Sequence, residues 1–213
     1  MVELCFKSFS NIYLMIYYSI HPTIKRGDYM NYKDYQNSRD LAWDILLRER
    51  ICELPVSVSG ICRNMGIPIR LYSANDENSG YSTIIDGKPI IFVKSTESAE
   101  RQRFTAAHEL GHILLGHVGK YKLVNREPSD NDNPIEQAAN VFASRLLAPA
   151  CVLWGCNIRT AEQIAVNCKI SVQSAKYRQK RMEVLYRRNA FLTSPLEREV
   201  YENFSKYIEA HRL

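Results

Sequence analysis

Arg103-Phe104-Thr105-Ala106-Ala107-His108-Glu109-Leu110-Gly111-His112-Ile113-Leu114-Leu115-Gly116-His117 carries the pattern H-E-x-x-H inside an apolar run. Phe104, Ala107, Leu110, Ile113 or Leu114, and His117 recur at steps of three and four, the period of a helix with one buried face. Histidines four apart share a helix face, so His108 and His112 can reach one metal ion. Glu109 projects near that ion, where it can take a proton from an activated water. The chain has five histidines, and three fall in this segment. A bare H-E-x-x-H also arises by chance, and two helical histidines can be solvated or satisfied in a core. The helix period, a following third donor and Gly111 favour a zinc hydrolase. Gly111 is costly inside a helix unless something must approach closely.

A catalytic zinc takes three protein ligands and keeps one position open. The scheme H-E-x-x-H-x-x-G-x-x-H fails here, because Leu115 and Val118 stand at its Gly and final His. His117 is one residue off, about 100–140° around the helix from the metal-binding pair, and is expected to pack at the helix end, where a cationic imidazole also suits the dipole. The better candidate is Glu136 in Pro134-Ile135-Glu136-Gln137-Ala138-Ala139-Asn140-Val141-Phe142-Ala143. Asn133 can cap this helix, Pro134 suits its first turn, and Pro149 stops it. Glu136 and Asn140 share a face, so Glu136 can ligate zinc while Asn140 orients a ligand histidine. The competing reading has Glu136 merely complementing the helix dipole.

Residues 103–117 followed by 136–149 resemble the ImmA/IrrE family of zinc metallopeptidases, with the pattern R-F-T-x-A-H-E-L-G-H-x-L-L-G-H and then E-x-x-A-N-x-F-A-x-x-L-L-x-P. With the upstream segment the resemblance covers roughly residues 31–150. It implies a zincin-like core with His108, His112 and Glu136 as ligands and Glu109 as catalytic base. It further implies a bacterial, phage or mobile-element setting in which a helix-turn-helix repressor is cleaved and transcriptional silencing relieved. Ala138 stands where many relatives carry an acidic residue, and Ala148 where Met is frequent.

The 213 residues suit one domain plus an appendage, with 46% hydrophobic and 24% charged residues and a net charge of +5. Six cysteines show no C-x-x-C pair and read as reduced thiols of a cytoplasmic protein. Cys151 and Cys156 lack neighbours that would complete a second zinc site. The apolar run 12–20 is too short to span a membrane, and it lacks the basic start and cleavage site of a signal peptide. Neither a membrane nor export is therefore expected. Residues 1–29 read as a leader upstream of a start at Met30, since Lys25-Arg26-Gly27 can be encoded by codons resembling a ribosome-binding sequence.

The order of elements predicts an α+β fold. Helices are expected over 33–53 and 56–65, the latter ending at Gly66. A strand is expected over 67–72, and a hairpin joins 81–85 to 89–93 through Asp86-Gly87-Lys88. The three strands are expected to form an antiparallel sheet preceding the metal helix. The core is assigned to 30–150. A polar loop covers 120–133, where Lys120 or Tyr121 is a lesser candidate for oxyanion stabilisation. Residues 151–213 are expected to form a helical, helix-turn-helix-like module. There Thr160 and Ser171 cap successive helices, and a single amphipathic helix follows over 196–211. Lys169, Lys176, Arg178, Lys180, Arg181, Arg187 and Arg188 could form a phosphate-binding face, although one basic helix pair is a feeble DNA signal. The functional expectation is a zinc endopeptidase acting on a helix-turn-helix repressor. Its rival is a non-proteolytic regulator that binds DNA or a repressor and uses zinc structurally.

Overall fold

The structure is a computed structural model that describes residues 31–75, 77–118 and 133–212. The expected leader, Lys120 and Tyr121 lie outside the described residues. Helix α1 (Tyr32–Arg48) starts at Asn31, which forms a reciprocal capping box with Asp34, and buries Leu41, Ala42, Trp43, Ile45 and Leu46. Helix α2 (Val58–Asn64) is capped by Ser57, and Gly66 follows it at φ +69°.

Strands β1 (Ile69–Tyr72), β2 (Gly80–Ile85) and β3 (Lys88–Lys94) form one sheet in the order β1-β3-β2. Asp86 and Gly87 both have positive φ, 51° and 74°, as the tight hairpin between β2 and β3 requires. The sheet is small and three-stranded as expected, but it is mixed rather than antiparallel. Ile69 pairs with Ile91 in a parallel β1–β3 ladder, while β2 and β3 are antiparallel. Only the two-residue turn dictates an antiparallel neighbour. The longer link from β1 to β2 leaves β1 free to pair with the far side of β3, so among the described strands β3 is central and β1 and β2 are the edges.

Helix α3 (Ala99–Leu114), capped by Ser98, holds the H-E-x-x-H residues and packs on β2, β3 and α4 (Pro134–Leu147). Asn133 caps α4 by accepting from the Ile135 amide, with Pro134 in the first turn. Two close approaches set the layers. A Cβ on Gly80 would lie 2.5 Å from Thr105 Cγ2, so this glycine lets β2 rest on α3. A Cβ on Gly111 would lie 2.9 Å from Phe142 Cδ1, so Gly111 admits a side chain of α4 rather than something at the metal position. The stretch Pro134–Gly155 is long and apolar enough to cross a membrane, yet most of its apolar part is buried inside the protein, as befits a core element.

Five helices follow: α5 (Ala150–Gly155), α6 (Ala161–Cys168), α7 (Val172–Arg187), α8 (Pro195–Asn203) and α9 (Ser205–His211). Thr160 and Gln163 form a capping box on α6, and Ser171 caps α7. Lys169 at φ 51° turns the chain between these two helices. The helix expected over 196–211 is bent in two at Phe204 (φ −93°, ψ 5°), keeping the buried Phe204 and Ile208 on the core side. Side chains from Leu41 to Ile208 join one hydrophobic cluster. The supposed basic face of α7 also needs correction. Arg178 is only 2% exposed and Arg181 is half-buried, both turned inward, whereas Lys176 and Lys180 are exposed.

Candidate metal centre

Helix α3 places His108 and His112 one turn apart, with their Nε2 atoms 3.0 Å from each other. Helix α4 crosses α3 so that its first turn brings Glu136 to the same point. Glu136 Oε2 lies 3.1 Å from His108 Nε2, and Oε1 lies 3.3 Å from His112 Nε2. One ligand atom from each of the three can lie within 4.8 Å of the others. Ligands on a tetrahedral ion with bonds of about 2.0 Å stand about 3.3 Å apart, so these separations suit one small cation.

The electrostatics agree with that fit. Burial raises the Glu136 carboxyl, but its polar contacts with the His108 and His112 imidazoles more than reverse this and hold it far below the usual carboxylate range. Burial lowers the His112 imidazole, against the opposing pull of Glu136. An ionised carboxylate beside neutral imidazole is a donor set suited to a divalent transition metal.

Neighbouring groups fix the orientation of the imidazoles. His108 Nδ1 donates to Asn140 Oδ1 at 3.0 Å, which leaves Nε2 with its lone pair toward the cluster. Asn140 thus stands where the helical spacing of Glu136 and Asn140 put it. His112 Nδ1 lies 3.0 Å from His117 Nδ1. For His112 Nε2 to ligate, His112 Nδ1 must donate and His117 Nδ1 accept. His117 packs at the end of α3 as expected, but its ring meets His112 rather than lying away from the histidine pair. The angular estimate assumed that the helix continues, whereas α3 stops at Leu114. Gly116 at φ 73° then turns the chain, and the His117 amide bonds back to the His112 carbonyl at 2.9 Å.

Glu109 is 1% exposed, and its Oε2 accepts from Ser82 Oγ at 2.8 Å. Sequence reasoning missed Ser82. No spacing rule links it to Glu109, because the contact arises only when β2 docks on α3 beside Gly80. The described cysteines are all free. Burial pushes the Cys62 and Cys168 thiols up to about 12, so neither supplies a ready thiolate.

Comparison with known proteins points the same way. A peptidase family model described as "IrrE N-terminal-like domain" matches residues 62–180. The chain is similar to the radiation response metalloprotease IrrE of Deinococcus radiodurans, 34% identical over 97 residues. That alignment takes in 41% of this chain and 30% of the relative, so the chain spans less than a third of that protein's length.

Proposed function

The chain belongs to the peptidase family of the IrrE N-terminal-like domain, and we propose that it is a zinc-dependent endopeptidase whose substrate is a helix-turn-helix repressor. The observation that carries this reading is the convergence of His108, His112 and Glu136 beside a buried carboxylate, Glu109. His108, His112 and Glu136 would hold the ion. Zinc, when bound, supplies Lewis acidity that acidifies water and polarises a carbonyl. Glu109 takes the proton of the attacking water as its oxygen bonds to the scissile carbonyl carbon. As the C–N bond breaks, Glu109 returns that proton to the leaving nitrogen. Ser82 holds one oxygen of Glu109 and so fixes the direction of the carboxylate.

The sheet supports a peptide substrate. Strand β2 is an edge, and it lies over the base through the Ser82–Glu109 bond. An extended backbone can add to such an edge, using main-chain hydrogen bonds for affinity. A repressor as substrate, a cytoplasmic setting and relief of silencing in a bacterial, phage or mobile-element system follow from the family resemblance. The test is incubation of the purified, zinc-loaded full chain with the repressor encoded beside it, followed by mass analysis. Two complementary fragments are expected. Glu109→Gln is expected to keep the metal and yield none, and equal cleavage by that variant would refute the assignment of the base.

A further inference from the structure

Away from the metal centre, three arginines meet around one tyrosine where α1, α4 and α7 join. Arg178 of α7 is 2% exposed, and its Nε donates to the carbonyl of Ala148, just past the end of α4. Its terminal nitrogens, Nη1 and Nη2, are both buried and have no hydrogen-bond acceptor. Arg145 of α4 is 7% exposed and donates to Ser144 Oγ at 3.0 Å and to Tyr35 Oη at 2.8 Å. Arg181 has a buried Nε without a partner. The guanidiniums of Arg181 and Arg145 lie over the Tyr35 ring, 5.3 and 5.6 Å from its centre.

Nothing described neutralises this charge. Arg39, a further cation close enough to act on Arg145, is paired with Asp40 at 2.7 Å. Glu197 is buried and close enough to feel Arg178, but its carboxylate accepts from the Thr193 amide at 3.0 Å. Among the described residues no carboxylate forms an ion pair with Arg145, Arg178 or Arg181. Guanidinium does not give up its proton in proteins, and a buried cation without an anion is strongly disfavoured. Several N–H donors are therefore held together with no acceptor.

We propose that this junction binds a phosphate group, with Arg145, Arg178 and Arg181 as its donors and Tyr35 as the side chain that opens to admit it. Phosphate suits the site better than a carboxylate. It offers more acceptor oxygens and nearly two negative charges to a cluster of three cations. Tyr35 and Arg181 are both half-buried and so within reach of solvent, whereas Arg178 is 2% exposed. Because Arg145 sits on α4, the helix that also carries Glu136 and Asn140, a bound phosphate would clamp α7 against the element that completes the metal cluster.

Thermal unfolding of the purified full chain in phosphate-free buffer tests this without needing a peptide substrate. Inorganic phosphate is titrated against chloride at matched ionic strength, with adenosine monophosphate in a parallel series. The midpoint is expected to rise saturably with phosphate and not with chloride. R181Q should raise the half-saturating concentration by about tenfold or more, and R178M should remove the response. Tighter binding of the nucleotide would identify a nucleoside phosphate as the ligand, and equal binding would identify the phosphate group alone. The partly exposed Arg181 lets R181Q decide even if R178M does not fold. Equal midpoints in phosphate and chloride, or an undiminished phosphate response in R181Q, would overturn the proposal.

Discussion

Ser82 Oγ donates to Glu109 Oε2 across 2.8 Å, tying the edge strand of the sheet to the carboxylate between the two histidines. The bond places the strand that could receive a peptide and the group proposed to move the proton on one rigid link. A charge-assisted hydrogen bond of this kind fixes direction as well as contributing energy.

Removing that link should slow chemistry more than binding. Ser82→Ala is expected to lower kcat by about tenfold, with KM little changed and metal content unaltered. Ser82→Thr, which keeps a hydroxyl, should restore most of the rate. Steady-state kinetics on the proposed repressor substrate, together with metal analysis, check this. A variant that loses metal and raises KM equally would show that Ser82 only supports the fold.

The partners of the two imidazoles should show up in metal affinity. Asn140→Ala and His117→Ala each remove a group bonded to the outer nitrogen of a candidate ligand histidine. Each is expected to weaken metal binding by about 10- to 100-fold, read by competition with a chromogenic chelator. Unchanged affinity in both variants would remove these residues from the site.

Buried thiols predict an alkaline limit to stability. Cys62 and Cys168 are raised by burial from an ordinary 9.0 to about 12, and Cys156 to about 11. A folded pKa above the unfolded one favours the folded state fully below about pH 9, and that contribution is lost as pH rises toward 12. Denaturant midpoints should therefore fall over that interval. At pH 8, iodoacetamide should label exposed Cys52 in the native protein and spare Cys62, Cys151 and Cys168 until unfolding. Rapid native labelling of Cys168 would contradict its burial.

The metal cluster was legible in the sequence because its pieces obey local rules. His108 and His112 need only helical spacing. Glu136 and Asn140 need a second helix, which Asn133 and Pro134 announce. What stayed hidden depends on tertiary placement. Ser82 meets Glu109 because Gly80 lets β2 settle on α3, and no pattern in residues 80–85 encodes that. His117 escaped because the helix ends at Leu114, so the wheel that placed it away from the ligands no longer applied. Arg178 and Arg181 belong by sequence to the candidate phosphate-binding face, since arginine is ordinarily exposed, and only their tertiary contacts with Ala148 and Tyr35 turn them inward. The direction of β1 was equally open, since its long link to β2 does not fix its partner.

The claim on which the account rests is that His108, His112 and Glu136 hold one divalent ion. Elemental analysis of the native protein and of His108→Ala, His112→Ala and Glu136→Ala tests it most directly. The account predicts about one zinc per native chain, consistent with a single three-donor site, and loss of it in all three variants while each remains folded. A native protein without any transition metal, or a Glu136→Ala protein that keeps its full complement, would contradict it.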